Sequence, residues 1–143
     1  MQNSHSDAFA DPAQVVRRFI TDMHQWESQT LSAYEMAKKS EQYEAFWDMG
    51  REALGKVFSR WCTPKERKYG RLGSFSDPPE YQPEHEAILE TILESSRRAS
   101  VHTQRTTGFG HKRKYVLLKK GDRWLIDSVK WQTHDGKWSN GIL

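Results

Sequence analysis

Lys112 to Trp131 reads KRKYVLLKKGDRWLIDSVKW, and the fold of the whole chain turns on this stretch. Tyr115–Leu118 and Trp124–Trp131 are rich in β-branched, aromatic and leucine residues, which suit a pleated, half-buried surface. Lys119-Lys120-Gly121-Asp122-Arg123 separates them as a short polar connection containing a glycine. Two apolar runs around such a connection predict a β-hairpin. The rest of the chain must then cover one face of that hairpin.

Upstream, the cover is helical. Asp11-Pro12-Ala13-Gln14 is composed as a helix start, with Asp11 as the cap, Pro12 at the first helical position and Gln14 completing a capping box. Val16, Phe19, Met23 and Trp26 recur at spacings of three and four, and Ile20 widens their stripe. This helix is predicted to run to about Leu31, or through Tyr34. Ser40 is the expected second cap. After it Tyr43, Phe46/Trp47, Gly50, Leu54, Val57/Phe58 and Trp61 fall on one face. Gly50 and Gly55 each cost about 1 kcal/mol inside a helix, which points to close packing or a bend. Thr63-Pro64 ends the segment, because the residue before a proline disfavours the helical region.

The next segment changes character. From Lys65 to Gln82, Gly70, Gly73, Pro78 and Pro79 mark a loop with at most one short strand, near Arg71 to Phe75; a loop this long in a small domain is functional or disordered. In EAILETILE, Glu86 to Glu94, the apolar positions Ile88, Leu89, Ile92 and Leu93 fit a helical period. Periodicity alone predicts a helix there. Ser95-Ser96-Arg97-Arg98 reads as a turn. Ala99 to Thr106 alternates like a strand and ends at Gly108-Phe109-Gly110. Helices first and an antiparallel sheet second make an α+β chain, two or three N-terminal helices packed on a curved antiparallel sheet.

At 143 residues the chain suits a single domain, expected over residues 11–143 behind a disordered stretch, residues 1–10. No run approaches the roughly 18 apolar residues of a membrane span. The start, MQNSHSDAFADP, lacks the basic and apolar parts of a secretory signal. One cysteine, Cys62, excludes an intrachain disulfide framework. A reduced, cytoplasmic setting is expected. Residues 1–60 carry 7 Lys/Arg against 9 Asp/Glu, and residues 61–143 carry 15 against 10. The basic later half suits an acidic partner surface.

Signals for chemistry are few. There is no Gly-rich phosphate loop, Cys-x-x-Cys, His-Glu-x-x-His or Gly-x-Ser-x-Gly. Cys62 closes an apolar helix face and reads as a buried, inert thiol. His5, His24, His85, His102, His111 and His134 include no pair at metal-ligand spacing. His102, mid-strand, and Asp127, embedded in Trp-Leu-Ile-Asp, are the candidate acid–base pair of a sheet-lined pocket. The competing reading has Asp127 capping a backbone or meeting a lysine and His102 facing solvent. Lys112-Arg113-Lys114, Arg97-Arg98 and Lys119-Lys120 invite a nucleic-acid reading, but interleaved acids and the use of Lys at strand ends to discourage edge pairing weigh against it. Trp131, Trp138, Phe75, Tyr81 and Phe109 lie near turns and tails, as interface aromatics do.

Two N-terminal helices, a Gly/Pro-containing loop and strands ending in YVLLKKGDRWLIDSVKW together resemble the nuclear transport factor two-like fold. More narrowly they resemble the immunity proteins of that fold in bacterial polymorphic toxin systems. The resemblance runs from about Asp11 to Trp131. Its most telling pieces are ASVHTQRTT, Ala99 to Thr107, and the hairpin, where Trp124, Leu125, Ile126 and Asp127 match the end of the family's sheet. It implies a sheet curled into a cone around the helices, and it makes Glu86 to Glu94 a strand, against the periodicity. It also implies a cytoplasmic protein that binds the toxin domain of a cognate secreted effector and occludes it, without catalysis, cofactor or metal. The fold further implies dimerisation through the sheet. Arg71, Phe75, Tyr81, Phe109, Trp131 and Trp138 are the expected partner contacts. Superfamily enzymes use Asp or His inside the cone, so an isomerase- or dehydratase-like enzyme using His102 and Asp127 is the alternative.

Overall fold

The computed structural model describes residues 8–65, 67, 80–107, 111–133 and 135–141. Helix α1 spans Pro12–Ala37 and helix α2 spans Tyr43–Trp61. Asp11 caps α1 as expected: its backbone is extended (φ −125°, ψ 114°) and its Oδ1 accepts the N–H of Ala13 at 3.0 Å. Val15, Val16, Phe19, Ile20, Met23 and Trp26 are all buried, so the predicted stripe is the core face. The helix outruns its predicted end because its last turns have a partner. Tyr34 packs at tilted angles against Phe46 and Trp47 of α2, with ring centroids 5.7 and 6.2 Å away.

Ser40 does not cap α2. The cap position is Gln42, without a side-chain bond. Ser40 instead closes the link between the helices, donating to Ala37 O at 3.0 Å and accepting the N–H of Gln42 at 3.1 Å. A short polar side chain competes locally for backbone groups in this way. Gly50 is buried where the helices meet, and the Trp26 indole N–H donates to its carbonyl at 3.0 Å. α2 stops at Trp61, and Cys62 is already extended.

The sheet is an antiparallel meander of β1 (Glu86–Ser95), β2 (Arg98–Arg105), β3 (Lys112–Lys120), β4 (Arg123–Gln132) and β5 (Trp138–Asn140), in that order. The hairpin that decided the fold is β3–β4, joined by Gly121 and Asp122, with Gly121 at φ 65°. Asp127 is a bulge: Val116 pairs with Ser128 and Leu117 with Ile126, leaving Asp127 without an opposite residue. Along β2 and β3, Val101, Thr103, Arg113, Tyr115 and Leu117 point inward by the two-residue alternation of a strand and are buried. α1 lies against β1, β2 and β4, and α2 packs on α1. Past α2, the Thr63 N–H donates to Ile126 O at 2.8 Å and Cys62 bridges Ile126. This strap meets the β4 edge at Ile126, in the stretch that β5 leaves open.

Two expectations need correction. Glu86–Ser95 is a strand, paired with β2 from Glu86↔Arg105 to Ser95↔Arg98, as the resemblance implies and not the helix its periodicity predicts. Of its four large apolar residues only Ile88 packs against the core, so the apparent stripe recorded no buried face. Pairing with β2 overrode local preference. The ordered chain also begins before Asp11. Ala8–Ala10 forms a 3₁₀ turn with Ala8 buried, and the Phe9 ring stacks on Trp61 at 5.1 Å beneath the Arg123 guanidinium. The strand expected near Arg71 to Phe75 lies outside the described residues.

Gly121 isolates a backbone effect, since a Cβ added there meets nothing within 4 Å. Gly121→Ala should therefore cost about 1 kcal/mol through its left-handed backbone alone. Urea unfolding measures this, and Gly121→Asn should recover most of the loss.

Candidate functional site

The inward side chains of three strands and one loop meet at one end of the sheet. β1 opens with Glu86, which is buried and lies beside Thr103 of β2 and Arg113 and Tyr115 of β3. The Glu86 carboxylate accepts from the Thr103 hydroxyl at 2.6 Å, the Tyr115 hydroxyl at 2.8 Å and Arg113 at 2.9 Å. Arg113 also reaches Glu80 at 2.8 Å and lies over the Tyr81 ring at 4.5 Å. Glu27 of α1 holds the loop in place by accepting the N–H groups of Glu80 and Tyr81, both at 2.9 Å. Above this floor opens a cleft of about 350 Å³, bordered by Glu80, Arg105, His111, Arg113, Trp131 and Asn140.

Burial disfavours the Arg113 charge, but Tyr115, Tyr81 and the carboxylates of Glu86 and Glu80 outweigh it and hold its pKa above the ordinary value. Burial, followed by the Glu86 charge, pushes the Tyr115 phenol well up, so it stays a donor. Both Glu86 oxygens are occupied. Such a network fixes geometry and leaves no idle proton acceptor at its centre. Among the described residues no group of three or more His, Cys, Asp or Glu could hold a metal ion.

Two of the expected contacts meet at this cleft. Trp131 is 38% exposed, with its ring edge-to-face with His111 at 5.5 Å. Tyr81 is only 2% exposed and packs edge-on against Phe19 at 5.7 Å, so it supports Arg113 rather than presenting a surface. Trp138 is on the opposite face of the sheet, 5.8 Å from the His102 ring and 4.9 Å from Lys114 Nζ. Arg71, Phe75 and Phe109 lie outside the described residues.

His102 and Asp127 do not form a pair. They sit on β2 and β4 with β3 between, roughly 10 Å apart across the sheet and as far again along it. Asp127 accepts from the Thr63 hydroxyl at 2.9 Å and meets Lys65 at 3.3 Å. Burial raises its pKa, but the hydrogen bonds from Thr63 and Lys65 and the charges of Lys65 and Arg67 outweigh this and hold it below the usual range. It anchors the strap. Cys62 is equally structural, its thiol pushed up to about 12 by burial. The basic runs are dispersed: Arg113 is buried in its ion pairs, Arg98 meets Glu94, and Lys119 lies over Trp124.

The sequence reading passed over Glu27, Glu80, Glu86 and Thr103. Glu27 did carry a signal, because it continues the spacing Phe19–Met23 by four onto the apolar stripe, where a carboxylate needs partners. Glu86 carried none until its strand was recognised.

Glu86→Ala leaves Arg113 buried without its buried carboxylate partner, which should destabilise the protein by about 3–5 kcal/mol, read from thermal or urea unfolding. Asp127 gives a pH test. A carboxyl depressed in the folded state adds stability above its ordinary pKa of 3.8 and loses it as pH falls through the folded value. Asp127→Asn should therefore be less stable than the parent at pH 7, with the gap closing below pH ~4. Parallel pH–stability curves would refute this role.

The model of the NTF2 fold immunity protein family matches residues 11–141. Immunity protein RhsIA of Dickeya dadantii (strain 3937) is 35% identical over 127 residues, covering 87% of this chain and 90% of that relative. No solved structure matches at a significant level. Two helices on a five-stranded antiparallel sheet are the architecture the family name describes, and the chain belongs to the NTF2 fold immunity protein family.

Proposed function

We propose that this protein binds the toxin domain of a cognate bacterial effector and neutralises it by covering the toxin's active site, with no catalysis of its own. Family membership and the likeness to immunity protein RhsIA support the immunity role. The observation that carries the mode of action is the saturated floor of the cleft. Glu86 and Arg113 are fully engaged with each other and with Thr103, Tyr115 and Glu80, so the floor of the cleft is a rigid wall beside an exposed aromatic edge. Rigid aromatics beside a polar rim are what a tight interface uses as anchors. Trp131 is the proposed central anchor, with Arg105 and His111 around it. Trp138, Arg71, Phe75 and Phe109 are proposed as further contacts, and Tyr81 as a support.

The protein acts in the cytoplasm of the producing cell, a reading supported by its single buried free cysteine. No helix among the described residues is long and apolar enough to cross a membrane.

The purified cognate toxin domain, assayed with rising amounts of this protein, should lose its activity at an equimolar ratio. Full toxin activity in the presence of a molar excess would overturn the proposal. Trp131→Ala should weaken the complex by roughly thirtyfold, the loss expected for a truncated anchor of about 2 kcal/mol. Isothermal calorimetry reads this directly, and an unchanged unfolding midpoint separates it from loss of fold.

A further inference from the structure

Beyond Ile88, β1 is apolar yet uncovered. Leu89 is 53% exposed, Ile92 41% and Leu93 66%, and every residue from 89 to 95 is exposed. β1 is also the end strand of the sheet. One side pairs with β2, and among the described residues no strand pairs with the other. The far side of the sheet is treated differently, since the strap and the three-residue β5 occupy the β4 edge. A long bare edge with apolar side chains is a surface that proteins usually blunt. A strand added there gains ladder hydrogen bonds and side-chain contacts at alternate positions.

Charge decides which strand fits. β1, EAILETILES, holds three glutamates and no lysine or arginine. Glu90 and Ile92 lie on the outer face, opposite His102 and Ser100. Glu94 joins them on that face by accepting from the Ser100 hydroxyl, and it also meets Arg98 at 3.2 Å. Glu90 has no ion pair among the described residues. In any antiparallel pairing of β1 with a second copy that keeps the faces matched, Glu90 lies directly or diagonally beside Glu90 or Glu94 of its mate. Like charges so placed destabilise a ladder. A strand alternating basic and apolar residues instead sets cations along the outer face beside Glu90 and Glu94, and apolar groups on the other face beside Leu93, which pairs with buried Ala99.

We infer that β1 is a second docking edge, which receives an extended segment of the toxin domain with basic and apolar residues in alternation. This rests on the immunity reading above and adds to it the chemistry of one partner element. The edge is continuous with the cleft, because Glu86 at its start pairs with Arg105 on the rim.

The probe is an alternating Lys/Val heptapeptide, with a Glu/Val heptapeptide as control, titrated against the intact protein by fluorescence anisotropy. The Lys/Val peptide should bind at least about tenfold more tightly, and should slow amide hydrogen exchange in Glu90–Leu93. Glu90→Lys, at an exposed site that leaves folding intact, should reverse the preference between the peptides. Equal binding of both peptides, or protection elsewhere on the molecule, would overturn the inference. A second arm uses the toxin domain of the neutralisation assay. Glu90→Lys combined with Leu93→Lys should weaken its binding about tenfold or more. Unchanged toxin affinity in this variant removes the β1 edge but leaves the immunity role standing, whereas failure of the parent protein to bind the toxin removes the role itself.

Discussion

The buried pair of Glu86 and Arg113 is the constraint on which the arrangement of this sheet depends. Taking two charges out of water is expensive, and their attraction repays it only when every remaining polar atom is also satisfied. Here the satisfying groups come from separate elements: Thr103 from β2, Tyr115 from β3, and Glu80 from a loop that Glu27 of α1 holds in place. A slip of β3 by one residue against β2 would turn Arg113 and Tyr115 to the outer face and leave Glu86 buried with only Thr103. The network therefore specifies one register of the sheet. An apolar core of the same volume could match its stability without that selectivity.

The floor and the rim of the cleft are built from different atoms. The floor of the cleft is closed, with its carboxylate and guanidinium spent on each other. The rim, where Trp131, His111 and Arg105 stand, contributes little to the core. Substitutions on the rim can thus change the exposed surface without disturbing the register beneath. That separation suits the proposed role of the rim as a docking surface.

What could be read beforehand was what local chemistry encodes. Asp11-Pro12 and the stripe from Val16 to Trp26 specify a capped amphipathic helix within a single segment, and the two apolar runs around Gly121 specify their own hairpin. β1 was hidden because a strand is made by its neighbour: nothing inside EAILETILE records the ladder with β2, and three of its four large apolar residues are exposed. The site was hidden for a similar reason, since Glu86 and Arg113 are distant in sequence and meet only once three strands are in register. The expected contacts split for a reason set by pairing. Trp138 stands opposite Gln132 and shares its face, while Trp131, one residue earlier, takes the other. Ser40 showed that a capping residue type is also a linker residue type, and only the geometry between two helices decides between them.

The strap of Cys62 and Thr63 along β4 has a consequence for assembly. Sheets stack edge to edge into open-ended filaments only if each copy offers two bare edges, one to give and one to receive. In this chain the end of α2 and the short β5 occupy the receiving side. Head-to-tail growth therefore lacks its second surface, and the bare edge on the other side can be satisfied without starting a polymer.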